Sequence, residues 1–473
     1  MLLFSTLVFA QELSYEQACQ MALERNPQLK TAQIDIESAQ SALLSAKGIF
    51  DPRITAEFGR SLSTNQQLFA GVGAFNTETL GPSGSVGMQA YLPYGTSLSW
   101  TYQVSRTSSR FKLEDLDTEQ EFNPFDTSLR LNINQPILEG ALTNYNLRQV
   151  REAEQSVDLA QLRLIEQHQN LLSDIGKAYW NLLHQGLLLS LAEESLSIAT
   201  EEVRHISAQV KEGNLASVEV DRVESARLAA ESGLIDAQNT HQTATESLLI
   251  QLGLPLIQDL VLTSRPQDIN HRQWDEQKEI ELVLQNNPSI QIAKARKEQA
   301  EIRIKDARHA KLPELGLSAS YTLSGWEEDY SEAMSELLSR ELPGSYVGLS
   351  LSSPIGNWAD KGQYEQRIAD LKKAHLEVES LEQSLIQQTR QQVRILRSSE
   401  IKIRLAQNNV SVAEKTLAAD RKLRDAGRKI EKDVLDSIKN LDEAKVALVR
   451  AQADHSQALL ELARIQGALK PPS

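Results

Sequence analysis

The feature that most constrains this chain is an internal duplication. The segment ALERNPQLKTA at 22–32 returns as VLQNNPSIQIA at 283–293. AQNTHQTA at 237–244 returns 214 residues later as AQADHSQA at 451–458. Both copies predict the same order of elements: a helix, a β segment, a very long helix, a glycine turn and a second long helix. The 473 residues could form two or three ordinary domains or one large elongated one, and the repeat divides them into two similar halves.

The repeat predicts the boundaries of the chain's parts. The first copy carries extra residues inside its β segment, so its strands occupy a longer stretch than those of the second copy. The predicted parts are a signal peptide at 1–10; repeat 1 at 11–253, with strands at about 50–138 and a helical hairpin at 141–252 whose tip is 211–217; a connector at 254–274; repeat 2 at 275–469, with strands at about 312–355 and a hairpin at 361–467 whose tip is 425–431; and a tail at 470–473.

The N-terminus predicts export from the cytoplasm. MLLFSTLVFA, at 1–10, resembles the apolar region and cleavage site of a secretory signal peptide. The usual basic residues before it are missing, so we expect the true start to lie upstream. No run of about 20 apolar residues follows, so no membrane-spanning helix is predicted. The chain is then periplasmic, secreted or an outer-membrane β-barrel. Its one cysteine, Cys19, cannot form an internal disulfide and is expected to pack within a helix.

Two segments are longer than globular helices usually are. Residues 141–212 and 361–426 contain no proline, and about seventy helical residues would extend about 100 Å. Steps of three and four mark a seam in the last helix, at Leu441, Ala444, Leu448, Ala451, His455, Ala458, Leu462 and Ile465. The first copy has the same seam at Ala230, Leu234, Ala237, His241, Ala244 and Leu248. This spacing predicts coiled-coil packing, with alanines that allow close approach of neighbouring helices.

Composition and motifs argue against several classes of function. The net charge of −15 disfavours a nucleic-acid partner, because phosphate binding requires clustered Lys and Arg. His241 and His455 each stand alone on the seam, which favours hydrogen-bonded packing over metal binding or pH sensing. No cluster of ligand-type residues has metal spacing, and no phosphate loop, nucleophile elbow or catalytic triad occurs. We therefore predict no catalytic residue, no cofactor and no metal.

The β segments alternate between apolar and small polar residues. In the second copy, Leu315, Leu317 and Ala319 alternate with Gly316 and Ser318, and an extra hairpin of the first copy, at 85–106, alternates too. Such strands suit a half-exposed sheet or a membrane barrel with lipid outside and water inside. The signal-like N-terminus and the aromatic residues near strand ends favour the barrel.

One chain cannot close such a barrel by itself. Four to six strands per chain are too few, because about eight is the smallest number that closes. Three chains would supply about twelve strands, or about eighteen if the extra hairpin joins the wall. The sequence leaves that choice open.

The ordered, duplicated set of features resembles one known family, the TolC-type outer-membrane efflux proteins. The shared features are an Asn-Pro helix start, a strand pair, a Pro-Ile exit, a long helix, a glycine tip and a G-x5-D/E-V return, over about 14–470. The resemblance implies a mainly α protein with membrane β structure. Each protomer of a homotrimer would contribute strands to an outer-membrane β-barrel and long helices to a periplasmic coiled-coil barrel.

The resemblance also implies a location and partners. The trimer would be a passive exit duct of a tripartite efflux or type I secretion system in a Gram-negative bacterium. It would contact outer-membrane lipid and extend into the periplasm. A periplasmic adaptor and an inner-membrane pump would open its helix tips.

The family pattern further implies an entrance at the helix tips. The DVLD helix lines the periplasmic entrance in that family, so Asp433 and Asp436 would form acidic rings around the threefold axis. The two residues share one helix face because they are three apart, and such rings attract cations. Glu219 with Lys429 or Arg424 would form a closing latch. The plainer interpretations are acids that complement a helix dipole and charges that are merely solvated.

The two hairpin tips would be the adaptor-docking sites. Their residues are Gly213, Asn214, Gly427 and Arg428. Glycine at these positions would also serve simply to reverse the chain. The alternative functions are a periplasmic coiled-coil scaffold or tether without a pore, and an envelope hydrolase, for which no catalytic constellation is present. The sequence does not identify what passes through the duct.

Overall fold

The computed structural model describes residues 11–69, 73–106, 108–113, 119–141, 143–213, 215–256, 260–264 and 274–470. The signal-like segment, Asn214, much of the connector and the last three residues lie outside the described residues. The chain divides into two compact units. The helical unit comprises Met1–Ile36, Leu159–Lys294 and Leu376–Ser473, and the sheet unit comprises Glu37–Asp158 and Ala295–His375.

Long helices and one large sheet account for most of the chain. The first copy contains β1 (Gln11–Leu13), α1 (Tyr15–Arg25), α2 (Pro27–Lys47), β2 (Arg53–Phe69), β3 (Gly73–Tyr91), β4 (Ser97–Arg106), β5 (Ser108–Leu113), β6 (Glu119–Phe122), β7 (Phe125–Pro136), α3 (Thr143–Asn146), α4 (Arg148–Lys211) and α5 (Val218–Leu252). The remainder contains β8 (Leu260–Leu262), α6 (Glu276–Asn286), α7 (Pro288–His309), β9 (Glu314–Glu327), α8 (Tyr330–Ser339), β10 (Leu342–Ser352), α9 (Trp358–Asp425) and α10 (Glu431–Ile465). Within the described ranges, no helix is long and apolar enough to cross a membrane.

The duplication reappears in the way helices begin. Asn26 and Asn287 each end a short helix in extended backbone, and the proline that follows each is the first residue of α2 or α7. Proline suits this position because its missing N–H would have no helical partner there. The Asn26 side chain accepts a hydrogen bond from the N–H of Leu29, and that of Asn287 from Ile290, both at 3.2 Å. The Asn-Pro pair is therefore the same helix boundary in both copies.

The return helices of the two copies also end alike. Gly253 and Gly467 have φ of +67° and +63°, in the left-handed region that favours glycine. Each glycine N–H bonds to the carbonyl three residues earlier, and the next N–H bonds to the carbonyl five residues earlier. This is the hydrogen-bond pattern of a Schellman cap, so the paired glycines have one structural role.

The core of the helical unit forms around Tyr179 on α4. Tyr179 is fully buried with Leu172, Ile175 and residues of α1 and α5. Its hydroxyl donates to the carbonyl of Leu13 at 2.9 Å and accepts from the N–H of Ser264 at 3.1 Å. These residues adjoin β1 and β8, which form a small parallel sheet. Burying each large apolar side chain contributes about 2 kcal/mol, so this cluster anchors α4 to the two short strands.

The coiled-coil seam of α10 is confirmed for most of its positions. All of its residues except the half-buried Leu448 are buried. His455 is buried, and its Nδ1 lies 2.8 Å from the hydroxyl of Ser399 on α9. Burial holds the pKa of His455 below its usual value, so the neutral imidazole packs in the seam. The seam of α5 is less covered, since only Ala244 and Leu248 are buried there.

The sheet unit is built on one antiparallel sheet of eight described strands. The order is β10-β9-β7-β4-β3-β5-β6, with β2 also paired to β3. β4 and β5 pair with successive parts of β3, at 83–91 and 75–80. The extra hairpin of the first copy is therefore not outside the sheet: β4 lies between β3 and β7.

A short helix that the strand pattern does not indicate, α8, packs on this sheet. Ala333 and Leu337 of α8 are buried. The hydroxyl of Thr127 on β7 donates to the carbonyl oxygens of Ala333 and Gly325, at 3.2 Å each. A Cβ added at Gly325 would lie 2.0 Å from the Ala333 carbonyl oxygen. Only glycine allows β9 and α8 to approach so closely.

Candidate functional site at the helix-hairpin tips

The two helix hairpins of the helical unit reverse at glycines. Gly213 has φ of +79° and Gly427 has φ of +70°, and a Cβ added at either would meet no atom within 4 Å. The N–H groups of Gly427 and Arg428 bond to the carbonyls of Arg424 and Leu423, both at 2.8 Å. Arg428 is exposed. Both tips are therefore open surfaces whose turns need a left-handed residue; Asn214 lies outside the described residues.

The two predicted entrance acids lie at the start of α10. Asp433 is half-buried and Asp436 is exposed. Asp436 lines an open cavity of about 1070 Å³ between α4, α5, α9 and α10. Small side chains on α5, among them Ala226 and Ala230, line the opposite wall and leave room for this space. The charged residues of the same lining are of both signs, with Asp442, Glu443 and Asp454 beside Lys402, Lys439 and Arg450.

A buried ionic cluster lies just inside the tip of α9 and α10. The Arg424 guanidinium contacts the carboxylate of Glu202 on α4, and it lies 3.5 Å from that of Glu431 on α10. The exposed fractions of these side chains are 13% for Arg424, 9% for Glu202 and 3% for Glu431. Burial and the nearby Glu202 carboxylate raise the pKa of Glu431 to about 7, and Arg424 offsets part of that shift. One cation thus holds two buried carboxylates from two helices.

A second network crosses the same turn. The Lys429 ammonium donates to Asp420 at 2.5 Å, and the hydroxyl of Ser437 donates to the other carboxylate oxygen at 2.6 Å. The hydrogen bond from Lys429 and that from Ser437 hold the pKa of Asp420 below its usual value. Because Asp420 is on α9 and Ser437 on α10, this carboxylate ties the two helices together next to the turn.

The three residues of the predicted latch lie in three different ion pairs within the described protomer. Glu219 accepts from Arg222 on its own helix at 2.9 Å. Arg424 binds Glu202, and Lys429 binds Asp420. A contact of Glu219 with Lys429 or Arg424 of a neighbouring protomer stays a prediction.

Sequence reasoning missed Glu202, Asp420 and Glu431 as members of these networks. Glu431 lies two residues before Asp433, in the segment GRKIEKDVLD at 427–436, where an acid in the first turn of a helix is expected to be exposed. Glu202 is 222 residues from its partner Arg424, so no local pattern could join them. Within the described ranges, no group of three or more His, Cys, Asp or Glu could hold a metal ion. The site offers two carboxylates at the start of α10, one exposed and one half-buried, and buried ion pairs that join α4, α9 and α10.

Comparison with known proteins gives matches across both copies. A profile of the family described as outer membrane efflux protein matches residues 18–254 and 280–468. The alkaline protease secretion protein AprF of Pseudomonas aeruginosa is 24% identical over 401 residues, which cover 81% of this chain and 78% of that protein. The proteases secretion protein PrtF of Dickeya chrysanthemi is 23% identical over 406 residues, 81% of this chain and 82% of that protein. The crystal structure of the outer membrane protein VceC from Vibrio cholerae matches with a TM-score of 0.67 and 16% identity over 96% of both chains, which is a likeness of fold.

Proposed function

This chain belongs to the outer membrane efflux protein family, and we propose that it is the duct through which a polypeptide leaves the cell in a type I secretion system. As a member of this family it is an outer-membrane channel that extends into the periplasm of a Gram-negative bacterium, and it is not an enzyme. Channels of this family act in efflux or secretion systems. The polypeptide cargo, the trimer and the docking partners are our proposals.

One observation favours a polypeptide over a small molecule. Both sequence relatives, which match four fifths of this chain, are named for the secretion of proteases. An adaptor and an inner-membrane pump would deliver the cargo to the duct. The exposed tip residues Gly213, Gly427 and Arg428, with Asn214, would form the surface on which the adaptor docks.

The free edges of the sheet support a trimer. In the part of the chain that the structure describes, β2 is paired only to β3, β10 only to β9 and β6 only to β5. The edges of β2 and β10 are the free edges at the level where six strands lie side by side. Unpaired strand edges do not occur in lipid, because each unsatisfied backbone group there costs several kcal/mol. Pairing β10 of one copy with β2 of the next would satisfy both edges, and three copies would close the ring.

At the periplasmic end, Asp433 and Asp436 of three copies would form the cation-attracting entrance. The buried networks around Arg424 and Lys429 would hold the tips closed within each copy. A contact of Glu219 with either cation would add a further restraint between copies. An adaptor could open the entrance by separating α9 and α10 from α4, which requires breaking the contact between Arg424 and Glu202.

The test is the single-channel conductance of the purified protein in a planar bilayer. The wild type should give small cation-selective currents that divalent cations block, and the Asp433→Ala/Asp436→Ala variant should lose both properties. Glu379→Ala is the control, because that carboxylate is exposed on α9 and does not line the cavity beside Asp436. Unchanged selectivity in the double variant would remove the acids from the entrance, and a folded protein without current would exclude the duct.

The cargo is tested separately in cells. Expression in a Pseudomonas aeruginosa strain that lacks AprF should restore alkaline protease in the medium. A chain that conducts in bilayers but restores resistance to small toxic compounds and no protease would contradict a polypeptide cargo.

A further inference from the structure

Mostly apolar and mostly polar rows alternate across six of the eight described strands of the sheet. One row of paired residues crosses six strands at Ile54, Met88, Trp100, Leu131, Tyr321 and Ser345. The neighbouring row, on the opposite face, is Thr55, Gly87, Thr101, Arg130, Thr322 and Gly344. The following row is apolar again: Ala56, Val86, Tyr102, Leu129, Leu323 and Pro343. An apolar face toward lipid and a polar face toward water are the signature of membrane strands.

The hairpin of β3 and β4 carries this pattern in register with the other strands. Among its apolar residues, Val86 is 37% exposed, comparable with Leu131 at 46% on β7 and Tyr321 at 39% on β9. A hairpin that projected into water would have no reason to present an apolar row at the same level as its neighbours.

The hydrogen bonds place this hairpin inside the sheet. β4 pairs with β3 along one side and with β7 along the other. β3 in turn pairs with β2, so the hairpin separates β2 from β7. Removing it from the wall would leave those two strands without their partners, and each protomer therefore brings six strands to the wall at this level: β2, β3, β4, β7, β9 and β10.

We propose that the β3–β4 hairpin is part of the membrane wall and that three copies of this chain close a barrel of eighteen strands, with β10 of one copy against β2 of the next. The strand number rests on the proposed trimer, whereas the place of the hairpin in the wall does not. Even strand numbers of this size occur in single-chain outer-membrane barrels.

The strand number sets the width of the exit. Strands about 4.8 Å apart and tilted about 40° give a backbone diameter of about 36 Å for eighteen strands and about 24 Å for twelve. Side chains inside would leave a bore of about 25 Å or about 13 Å, respectively. A helix with its side chains is about 10–12 Å wide. The wider barrel admits a polypeptide that retains helical hairpins, whereas the narrower one admits a single helix at most.

Cysteine labelling tests the place of the hairpin. In a Cys19→Ala background, Met88→Cys and Gln89→Cys report on the two faces of β3, and Leu131→Cys and Asn132→Cys report on β7. A membrane-impermeant maleimide added to intact cells should label the polar-face cysteine of each pair and spare its apolar-face neighbour.

Each outcome of the labelling has a distinct meaning. Alternation on β7 with both β3 positions labelled would put the hairpin in water and overturn the proposal. Labelling of both β7 positions would instead show that the sheet is not in the membrane, and the proposed duct would fail with it.

Polymer exclusion tests the bore. Polyethylene glycols of increasing size, added on the extracellular side of the bilayer, lower the conductance only while they enter the barrel. We expect entry up to a hydrodynamic radius of about 12 Å, as the wide bore requires. A cutoff at a hydrodynamic radius of about 6 Å would match the bore of twelve strands. If the labelling also places the hairpin in the wall, that cutoff would refute eighteen strands while leaving the duct intact.

Discussion

The buried cluster of Glu202, Arg424 and Glu431 predicts that the closed tip loosens as pH rises. Burial raises the pKa of Glu431 from 4.5 to about 7. The folded tip therefore binds more protons than the opened one between these two values. A carboxyl group with a raised pKa contributes its full stability below its unperturbed pKa and loses it as pH rises toward the raised value. The tip should thus be firmest near pH 5 and loosest at pH 8.

The size of the effect follows from the shift. One pKa unit corresponds to about 1.4 kcal/mol, so ionising Glu431 between pH 5 and pH 8 should cost the closed tip roughly 2–3 kcal/mol. That corresponds to an opening equilibrium larger by on the order of 50-fold. Glu431→Gln keeps the shape and hydrogen bonding of the protonated acid. It should remove the pH dependence and hold the tip at pH 8 as firmly as the wild type holds it at pH 5.

Amide hydrogen exchange across the α9–α10 turn measures this opening directly, once rates are corrected for the intrinsic effect of pH. Glu443→Gln, an exposed change on the same helix, is the control and should retain the wild-type slope. Equal opening free energies at pH 5 and pH 8 in the wild type would refute the argument. So would a Glu431→Gln variant that keeps the same slope as the control.

Further predictions concern the packing of both units. Gly325→Ala should prevent α8 from docking and lower the yield of assembled protein in outer membranes. Gly344→Ala is the control and should not lower the yield, because its added Cβ would meet its neighbour at an ordinary 3.7 Å. Equal yields of the two variants would contradict the close contact. Tyr179→Phe removes two hydrogen bonds to the main chain and should lower the free energy of unfolding by about 1–3 kcal/mol, seen as a lower thermal midpoint. Cys19 should resist maleimide at pH 8 in the native protein, because burial raises the pKa of its thiol to about 11; rapid native labelling would show that α1 does not cover it.

The fold class was predictable because local patterns specify it. The proline-free segments 141–212 and 361–426 predicted the long helices, and strict alternation predicted the strands. The fold class is confirmed. Because of the duplication, each pattern occurs twice in the sequence. The structure shows the same repetition in the helix boundaries at Asn26 and Asn287. These features depend on residues a few positions apart, which a sequence displays directly.

Long-range partners were not predictable in the same way. The pairing of β1 with β8 joins residues about 250 positions apart, and the cluster at Arg424 joins three helices. Helix α8 was missed because its amphipathic stretch is only ten residues long. The strands on both sides of it repeat every two residues, and this pattern hides the helical period of 3.6. Asp433 and Asp436 were proposed from a motif, and their role at the entrance stays a prediction. The networks of Glu202 and Asp420 have no motif and depend on how α4, α9 and α10 come together.

The unpaired edges of β2 and β10 have a consequence for the kinetics of assembly. In the proposed ring, β10 of one copy pairs with β2 of the next, so the contact between copies would be heterologous and the series of contacts would end only when the ring closes. No single copy can pair both edges, so the completed channel should appear at a rate that rises faster than linearly with the concentration of protomers. Before assembly, a periplasmic protomer would expose the unpaired edges of β2 and β10, which can pair with other chains and aggregate. Its lifetime in that form, rather than the stability of the finished ring, should then set how much of the protein is lost to aggregation.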